Sequence, residues 1–205
     1  AEISIKNVKM IPLNDGLKSK IIEYYDPKSA YIKRIKELVN FKALKKSGLK
    51  VAADLLYGTG DDYLDALLES AGLKIKVINK KRDPLFGGHA PEPNEENLKE
   101  LKSIVKKESY KLGLSVDGDS DRFGIIDADG TFIMPNQVIP ILLYHLNKTR
   151  GWKGVAARSV MTSHMLDKLA DKLGIEVKET PVGFKYIGEI MTESPDDFII
   201  GGEES

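Results

Sequence analysis

Short β-branched runs alternate with stretches of helical spacing from about residue 30 onward, and this alternation constrains the fold more than any other feature. A helix between two strands carries the chain back along the sheet, so such strands pair in parallel. Tyr31 to Lys46 places Ile32, Ile35, Leu38, Val39 and Leu44 near helical spacing, with Gly48 closing the helix. Val51-Ala52-Ala53 reads as a buried strand, and a loop with Gly58 and Gly60 follows it. Asp61 or Asp62 is expected to cap the next helix, which turns Leu64, Leu67 and Leu68 inward. Ile75 to Ile78 is a strand, and Asp83 to Pro93 a Pro- and Gly-rich loop. Glu95 to Lys107 is a helix with Leu98, Leu101, Ile104 and Val105 facing the core. Leu112 to Val116 is a further strand.

Phe123 to Asp127 and Phe132 to Met134 form a hairpin across Asp129-Gly130, because glycine tolerates the positive φ of a tight turn. Pro135 is expected to end this unit. The alternation then resumes with helices at Val138 to Leu146, Ser163 to Leu173 and Phe184 to Met191. Strands are expected at Val155-Ala156, Ile175 to Lys178 and Phe198 to Ile200. The fold class is therefore α/β: two consecutive α/β units, residues 1–132 and 133–205, with mixed, mostly parallel sheets flanked by helices. No internal repeat is legible.

Thirty-one basic residues balance thirty-one acidic ones, so the basic excess of a nucleic-acid binder is missing. Lys45-Lys46 and Lys80-Lys81-Arg82 read as solvated surface. With no cysteine, thiolate metal ligands and disulfides are excluded and a cytoplasmic location is favoured. No apolar run reaches the roughly 18–20 residues that span a bilayer. The chain starts without Met and stops on the glycine-rich Gly201-Gly202-Glu203-Glu204-Ser205, so it is expected to be a piece of something longer.

Asp117-Gly118-Asp119-Ser120-Asp121-Arg122 lies between two strands. Carboxylates at spacing two converge on one cation if the backbone turns between them, and Gly118 permits that turn. Hard oxygen ligands suit Mg²⁺. A solvated Asp-rich turn remains the alternative. A Ca²⁺ loop of the EF-hand kind does not fit, since Arg122 stands where glycine is needed and Ala128 where glutamate is needed.

These six residues resemble the metal loop of the α-D-phosphohexomutases, the phosphoglucomutase/phosphomannomutase superfamily. Three further stretches match in order: Ala90-Pro91-Glu92-Pro93, Thr180-Pro181-Val182-Gly183-Phe184-Lys185 and Gly202-Glu203-Glu204-Ser205. The resemblance covers nearly the whole chain and implies the second and most of the third domain of a four-domain enzyme. It implies that Asp117, Asp119 and Asp121 bind Mg²⁺, that Arg122 points toward the active site, and that Glu203 and Ser205 grip hexose hydroxyls. Gly183 would let backbone approach the ligand, and Lys185 would serve a phosphate or a proton transfer. The implied partners are a phosphosugar substrate and the missing flanking domains of the parent chain, with neither nucleic acid nor membrane involved.

The parent reaction would move a phosphoryl group between C1 and C6 of a hexose through a phosphoserine and a bisphosphorylated intermediate. G-E-E-S favours a glucose-type member. The family's T-A-S-H-N-P nucleophile loop and R-x-S-G-T-E phosphate clamp do not occur here, so this chain alone is expected to be inactive. Met161-Thr162-Ser163-His164 lacks the Asn-Pro, and Ser163 reads better as a helix cap. Gly58-Thr59-Gly60 lacks the rest of a dinucleotide fingerprint and reads as a plain turn. Two rival readings are a phosphatase with an aspartate nucleophile and a non-catalytic ion- or sugar-binding module.

Overall fold

The structure is a computed structural model and describes residues 10–204, so Ser205 lies outside the described residues. The chain divides into residues 1–40 and residues 41–205. The first unit holds α1 (Leu13–Lys18) and α2 (Lys28–Leu38), and α2 buries none of its residues. The single helix expected over Tyr31–Lys46 is two. Val39 leaves α2 in an extended conformation, and α3 (Phe41–Ser47) starts afresh. A β-branched valine loses rotamer freedom inside a helix, and the Asn40 that follows favours helix starts over helix interiors. Gly48, at φ 61°, ends α3 as expected.

In the second unit, one sheet contains β1 (Lys50–Asp54), β2 (Lys74–Ile78), β3 (Leu112–Val116), β4 (Phe123–Asp127) and β5 (Phe132–Ile133). Their spatial order is β2-β1-β3-β4-β5. β1 pairs in parallel with β2 and β3, while β4 and β5 add antiparallel edges, so the sheet is mixed. α4 (Leu64–Ser70) and α5 (Lys99–Lys107) make the crossovers. Val51 to Asp54 are all buried, as a central parallel strand requires, whereas β4 alternates. Leu98, Leu101 and Val105 are fully buried against Ala52 and Ile126. Each such side chain contributes about 1.5–3 kcal/mol over its exposed state.

Two expectations at helix starts are corrected. No side chain caps α4, whose N-cap position is Tyr63; Asp61 and Asp62 turn toward Lys80 instead. Pro135 opens α6 (Pro135–Arg150) rather than closing the preceding unit. Proline suits a first helical position because its fixed φ is already helical and its missing N–H has no partner to lose there.

The second sheet holds β6 (Val155–Ser159), β7 (Glu176–Thr180) and β8 (Phe198–Gly202), all parallel, in the order β7-β6-β8. α7 (Met165–Leu173) and α8 (Phe184–Glu193) connect them. Its core gathers Ile139 and Leu143 of α6, Ala156 of β6, Leu166 and Ala170 of α7, and Ile199 of β8. In both sheets the second parallel strand lies on one side of the first and the third on the other. The path therefore reverses at the β1/β3 and β6/β8 boundaries, and open α/β sheets bind ligands at the carboxyl ends of such strands.

Candidate active site

The acidic loop leaves the carboxyl end of β3 at the first reversal. Asp117 is buried; Asp119 and Asp121 are exposed. One carboxylate oxygen from each comes within 4.8 Å of the others. The loop is fixed from three sides. Its own Arg122 donates a backbone N–H to Asp117 Oδ1 at 3.0 Å and its Nε–H to Asp117 Oδ2 at 3.1 Å. Gly118 donates to the Pro91 carbonyl at 3.1 Å, and Thr59 donates to the Gly118 carbonyl at 3.0 Å. Thr59 Oγ1 also lies 3.2 Å from Ser120 Oγ.

Gly58-Thr59-Gly60 thus supports the acidic loop. A Cβ on Gly58 would stand 2.5 Å from the Gly118 carbonyl oxygen, so only glycine lets the two backbones approach this closely. The Pro-rich motif has a comparable place. Pro91 anchors Gly118, and Glu92 Oε1 lies 3.3 Å from Arg122 Nη1.

Burial pushes the Asp117 carboxyl up, but the backbone and side-chain hydrogen bonds from Arg122 outweigh it and hold Asp117 below its ordinary value. Asp121 is pushed up, by desolvation first and then by the charges of Asp117 and Asp119. Arg122 offsets part of this charge from one side, its Nε 3.8 Å from Asp121 Oδ1. The donor set fits a hard divalent cation. Each carboxylate has about four lone-pair sites, so the hydrogen bonds on Asp117 leave room for one more ligand bond.

A second acidic cluster, Asp61, Asp62 and Asp65, offers the contrast. There Lys80 fills the centre, its Nζ 2.7 Å from Asp65 Oδ2 and 3.3 Å from Asp61 Oδ1. The hydrogen bonds to these two carboxylates raise the Lys80 ammonium well above its ordinary value. Lys80 is exposed, as expected, and is at the same time a built-in cation.

The second set of candidates lies at the carboxyl end of the other sheet. Gly183, at φ 131°, donates its N–H to Glu203 Oε1 at 2.7 Å and so joins two of the expected sugar contacts. Glu204 Oε2 accepts from Ser159 Oγ at 3.1 Å and Thr162 Oγ1 at 3.2 Å. Ser163 donates its N–H to Asn136 Oδ1, and its hydroxyl accepts from Met165 N–H at 3.2 Å; the N-cap position of α7 is His164, one residue later than expected, and it makes no side-chain cap. Lys185 is exposed on the first turn of α8, with Nζ 4.7 Å from the centroid of the Tyr186 ring. One cavity of about 360 Å³ unites the two sets: Asp121, Arg122, Glu203 and Glu204 line it together with Phe123, Val138, Phe184 and Ile200. Lys185 does not line it.

The sequence does not mark Ser159 or Asn136, nor the pairing of Glu92 with Arg122, and it shows Thr162 only as part of Met161-Thr162-Ser163-His164. Glu92 could have been found, since it sits inside a recognised motif. Ser159 and Asn136 sit in no motif, and Ser159 and Thr162 meet Glu204 across more than forty residues of chain.

Fold and site together define an α/β protein built of two α/β layers, with a carboxylate loop on one and a glutamate-bearing loop on the other. The family model described as phosphoglucomutase/phosphomannomutase, alpha/beta/alpha domain II, matches residues 29–130, and that for domain III matches residues 134–205. The chain belongs to the phosphoglucomutase/phosphomannomutase family. A phosphoglucomutase/phosphomannomutase of Thermococcus kodakarensis is 35% identical over 175 residues, which cover 85% of this chain and 38% of that relative. Human phosphoglucomutase-1 is 29% identical over 216 residues, covering 100% of this chain and 38% of the human protein. A crystal structure described as a phosphomannomutase, from Thermus thermophilus, superimposes with a TM-score of 0.82 at 33% identity, covering 89% of this chain and 42% of the other. The chain thus spans under two fifths of the length of these two relatives. Among the described residues no helix is long and apolar enough to cross a membrane.

Proposed function

We propose that residues 1–132 and 133–205 act as the second domain and most of the third domain of a cytoplasmic phosphohexomutase that interconverts hexose 1-phosphate and hexose 6-phosphate. The observation that carries this reading is the cavity shared by the acidic loop and the Glu203 loop. It sets carboxylates suited to a cation beside groups suited to sugar hydroxyls. Asp117, Asp119 and Asp121 would hold Mg²⁺, which when bound offsets negative charge on a transferring phosphoryl group.

The chain's own residues bind and orient. Asp117 is held ionised by Arg122, so one ligand of the loop is preset before any cation arrives. Arg122 carries a fixed positive charge at the cavity wall, where it meets a phosphate dianion. Glu203 Oε1 is engaged by Gly183, and the carboxylate retains acceptor capacity for a sugar hydroxyl. Ser205, which follows Glu204 in the sequence, would supply a hydroxyl that both donates and accepts. Lys185, which does not line the cavity, would serve a phosphate or a proton transfer. The phosphoserine and the bisphosphorylated intermediate belong to the parent reaction, with glucose as the favoured sugar. The 205-residue chain alone turns over no hexose phosphate.

Isothermal titration of this chain with Mg²⁺ tests the reading. Saturable binding that Asp119→Asn abolishes is expected, with Ca²⁺ binding no tighter. The absence of Mg²⁺ binding, or an Asp119→Asn variant that binds as well as the original chain, overturns it.

A further inference from the structure

We infer that Glu204 is a positioning residue, a latch that sets where Glu203 stands, and that the latch is built from the buried hydroxyls of Ser159 and Thr162. The inference deepens the proposed sugar-binding role of this loop and rests on that reading for its functional meaning. Its geometry stands independently.

Successive residues of an extended chain point to opposite sides. Glu203 and Glu204 use this alternation to grip two different neighbours. Glu203 reaches Gly183 in the loop after β7. Glu204 reaches the end of β6 and the loop after it: Ser159, the last residue of β6, is completely buried, and Thr162 in the loop is 3% exposed. These two hydroxyls also lie 3.0 Å apart. Buried hydroxyls need partners, and two of them converging on one carboxylate oxygen make a specific socket.

The socket is itself held in place. Thr162 N–H donates to the Ser159 carbonyl, closing the turn, and Asn136 of α6 accepts from Ser163 N–H at 2.7 Å. Next to Ser159, buried Arg158 pairs with Asp167 at 2.7 Å and Glu179 at 2.9 Å, and donates to the Ser159 carbonyl at 3.1 Å. The loop after β8 therefore crosses the carboxyl end of β6 and is tied on both sides. Removing the Glu204 tie leaves the Glu203–Gly183 bond as the remaining side-chain tie of this loop among the described residues.

The first sheet uses the same device. There the loop after β3 is tied to the loop after β1 through Thr59, with both its backbone N–H and its hydroxyl, and to the loop after β2 through Pro91. In each layer the third loop carries the candidate ligand groups, and the first two position it.

The test is amide hydrogen exchange on the ¹⁵N-labelled 205-residue chain, with Gly183 N–H as the reporter because it donates to Glu203. Glu204→Ala and Thr162→Val are each expected to speed Gly183 exchange about tenfold, the order of one lost buried hydrogen bond. The amides of Ala156 and Ala157 in β6 should change less than about threefold, because their pairing is not part of the latch. Thr162→Ser keeps the hydroxyl and should restore protection, which separates the latch from general loss of packing. Unchanged Gly183 exchange in Glu204→Ala overturns the inference, as does a uniform rise across β6 that Thr162→Ser fails to reverse. In parallel, glucose 1-phosphate is titrated into the unmodified chain. Shifts at Glu203 and Gly183 support the sugar-binding reading, and their absence counts against that reading while exchange still decides the latch.

Discussion

Gly58→Ala is the substitution that reads most directly on how the acidic loop is held. The added Cβ would stand 2.5 Å from the Gly118 carbonyl oxygen, 2.7 Å from its Cα and 2.9 Å from its carbonyl carbon. Ordinary contacts lie near 3.5–4.0 Å, so the loops must part by about 1 Å. All three atoms are backbone, and no rotamer change relieves them. Gly118 cannot retreat either, since Pro91 and Phe86 side chains already lie 3.1 Å from where its own Cβ would be, and its N–H is bonded to Pro91. Overpacking of this kind costs about 1–3 kcal/mol, and the lost Thr59–Gly118 hydrogen bond adds about 0.5–1.5 kcal/mol. The sum, about 2–4 kcal/mol, should lower Tm by roughly 5–15 °C in a chain of this length. The displaced segment is the one that carries Asp119 and Asp121, so Mg²⁺ affinity should also fall, by about tenfold or more. Thermal unfolding followed by circular dichroism, with and without Mg²⁺, reads both effects. A Tm within about 2 °C of the original, together with unchanged Mg²⁺ dependence, refutes the argument that close backbone approach positions the loop.

The opposite sign is expected for Gly188→Ala in α8, where an added Cβ meets nothing within 4 Å; stability should rise by about 0.4–1 kcal/mol in the same assay. Lys80→Met removes the ammonium at the centre of Asp61, Asp62 and Asp65 and should lower the unfolding midpoint. Adding Asp65→Asn should recover most of that loss, because the cost lies in leaving buried Asp65 charged and unpaired. The Asp167 carboxyl is held below its ordinary value of 3.8, chiefly by its hydrogen bonds from Arg158. A depressed folded-state value means that this pair contributes stability above about pH 4, which is lost as the pH falls through the folded value. Urea midpoints measured from pH 5 downward should therefore fall less steeply in Asp167→Asn than in the original chain.

Elements whose signal is local could be read from the sequence. Leu98, Leu101, Ile104 and Val105 face the core as their spacing requires, and the Asp129-Gly130 hairpin closes where its turn chemistry places it, with Gly130 at φ 88°. Local signals failed where two of them competed. Hydrophobic spacing ran through Val39 and suggested one helix, but backbone preference at Val39-Asn40 broke it. Asp61 and Asp62 had the chemistry of a cap, and Lys80, distant in sequence, drew them elsewhere. In the site, the acidic loop was legible because its three carboxylates lie within five residues. The partners that fix the loops were not. Thr59 meets Ser120 across 61 positions, and Ser159 meets Glu204 across 45. Single hydroxyls carry no local sign of such a partner.

The largest feature hidden from the sequence is that the chain builds one arrangement twice. β1-α4-β2-α5-β3 and β6-α7-β7-α8-β8 share a strand order, with the third parallel strand on the far side of the first. The repeat leaves no trace in residue identity because topology is set by the alternation of elements, which many sequences satisfy. It does determine where chemistry can sit. In each layer the first and third strands are neighbours whose connections leave to opposite sides, so their carboxyl-terminal loops flank an open crevice. D-G-D-S-D-R follows β3 and Glu203-Glu204 follows β8, the same structural position in both layers, and one cavity collects residues from both loops. The proposed cation and sugar sites would therefore face one ligand without either loop being long. Each needs only to emerge from the third strand and to be held there by the two loops before it.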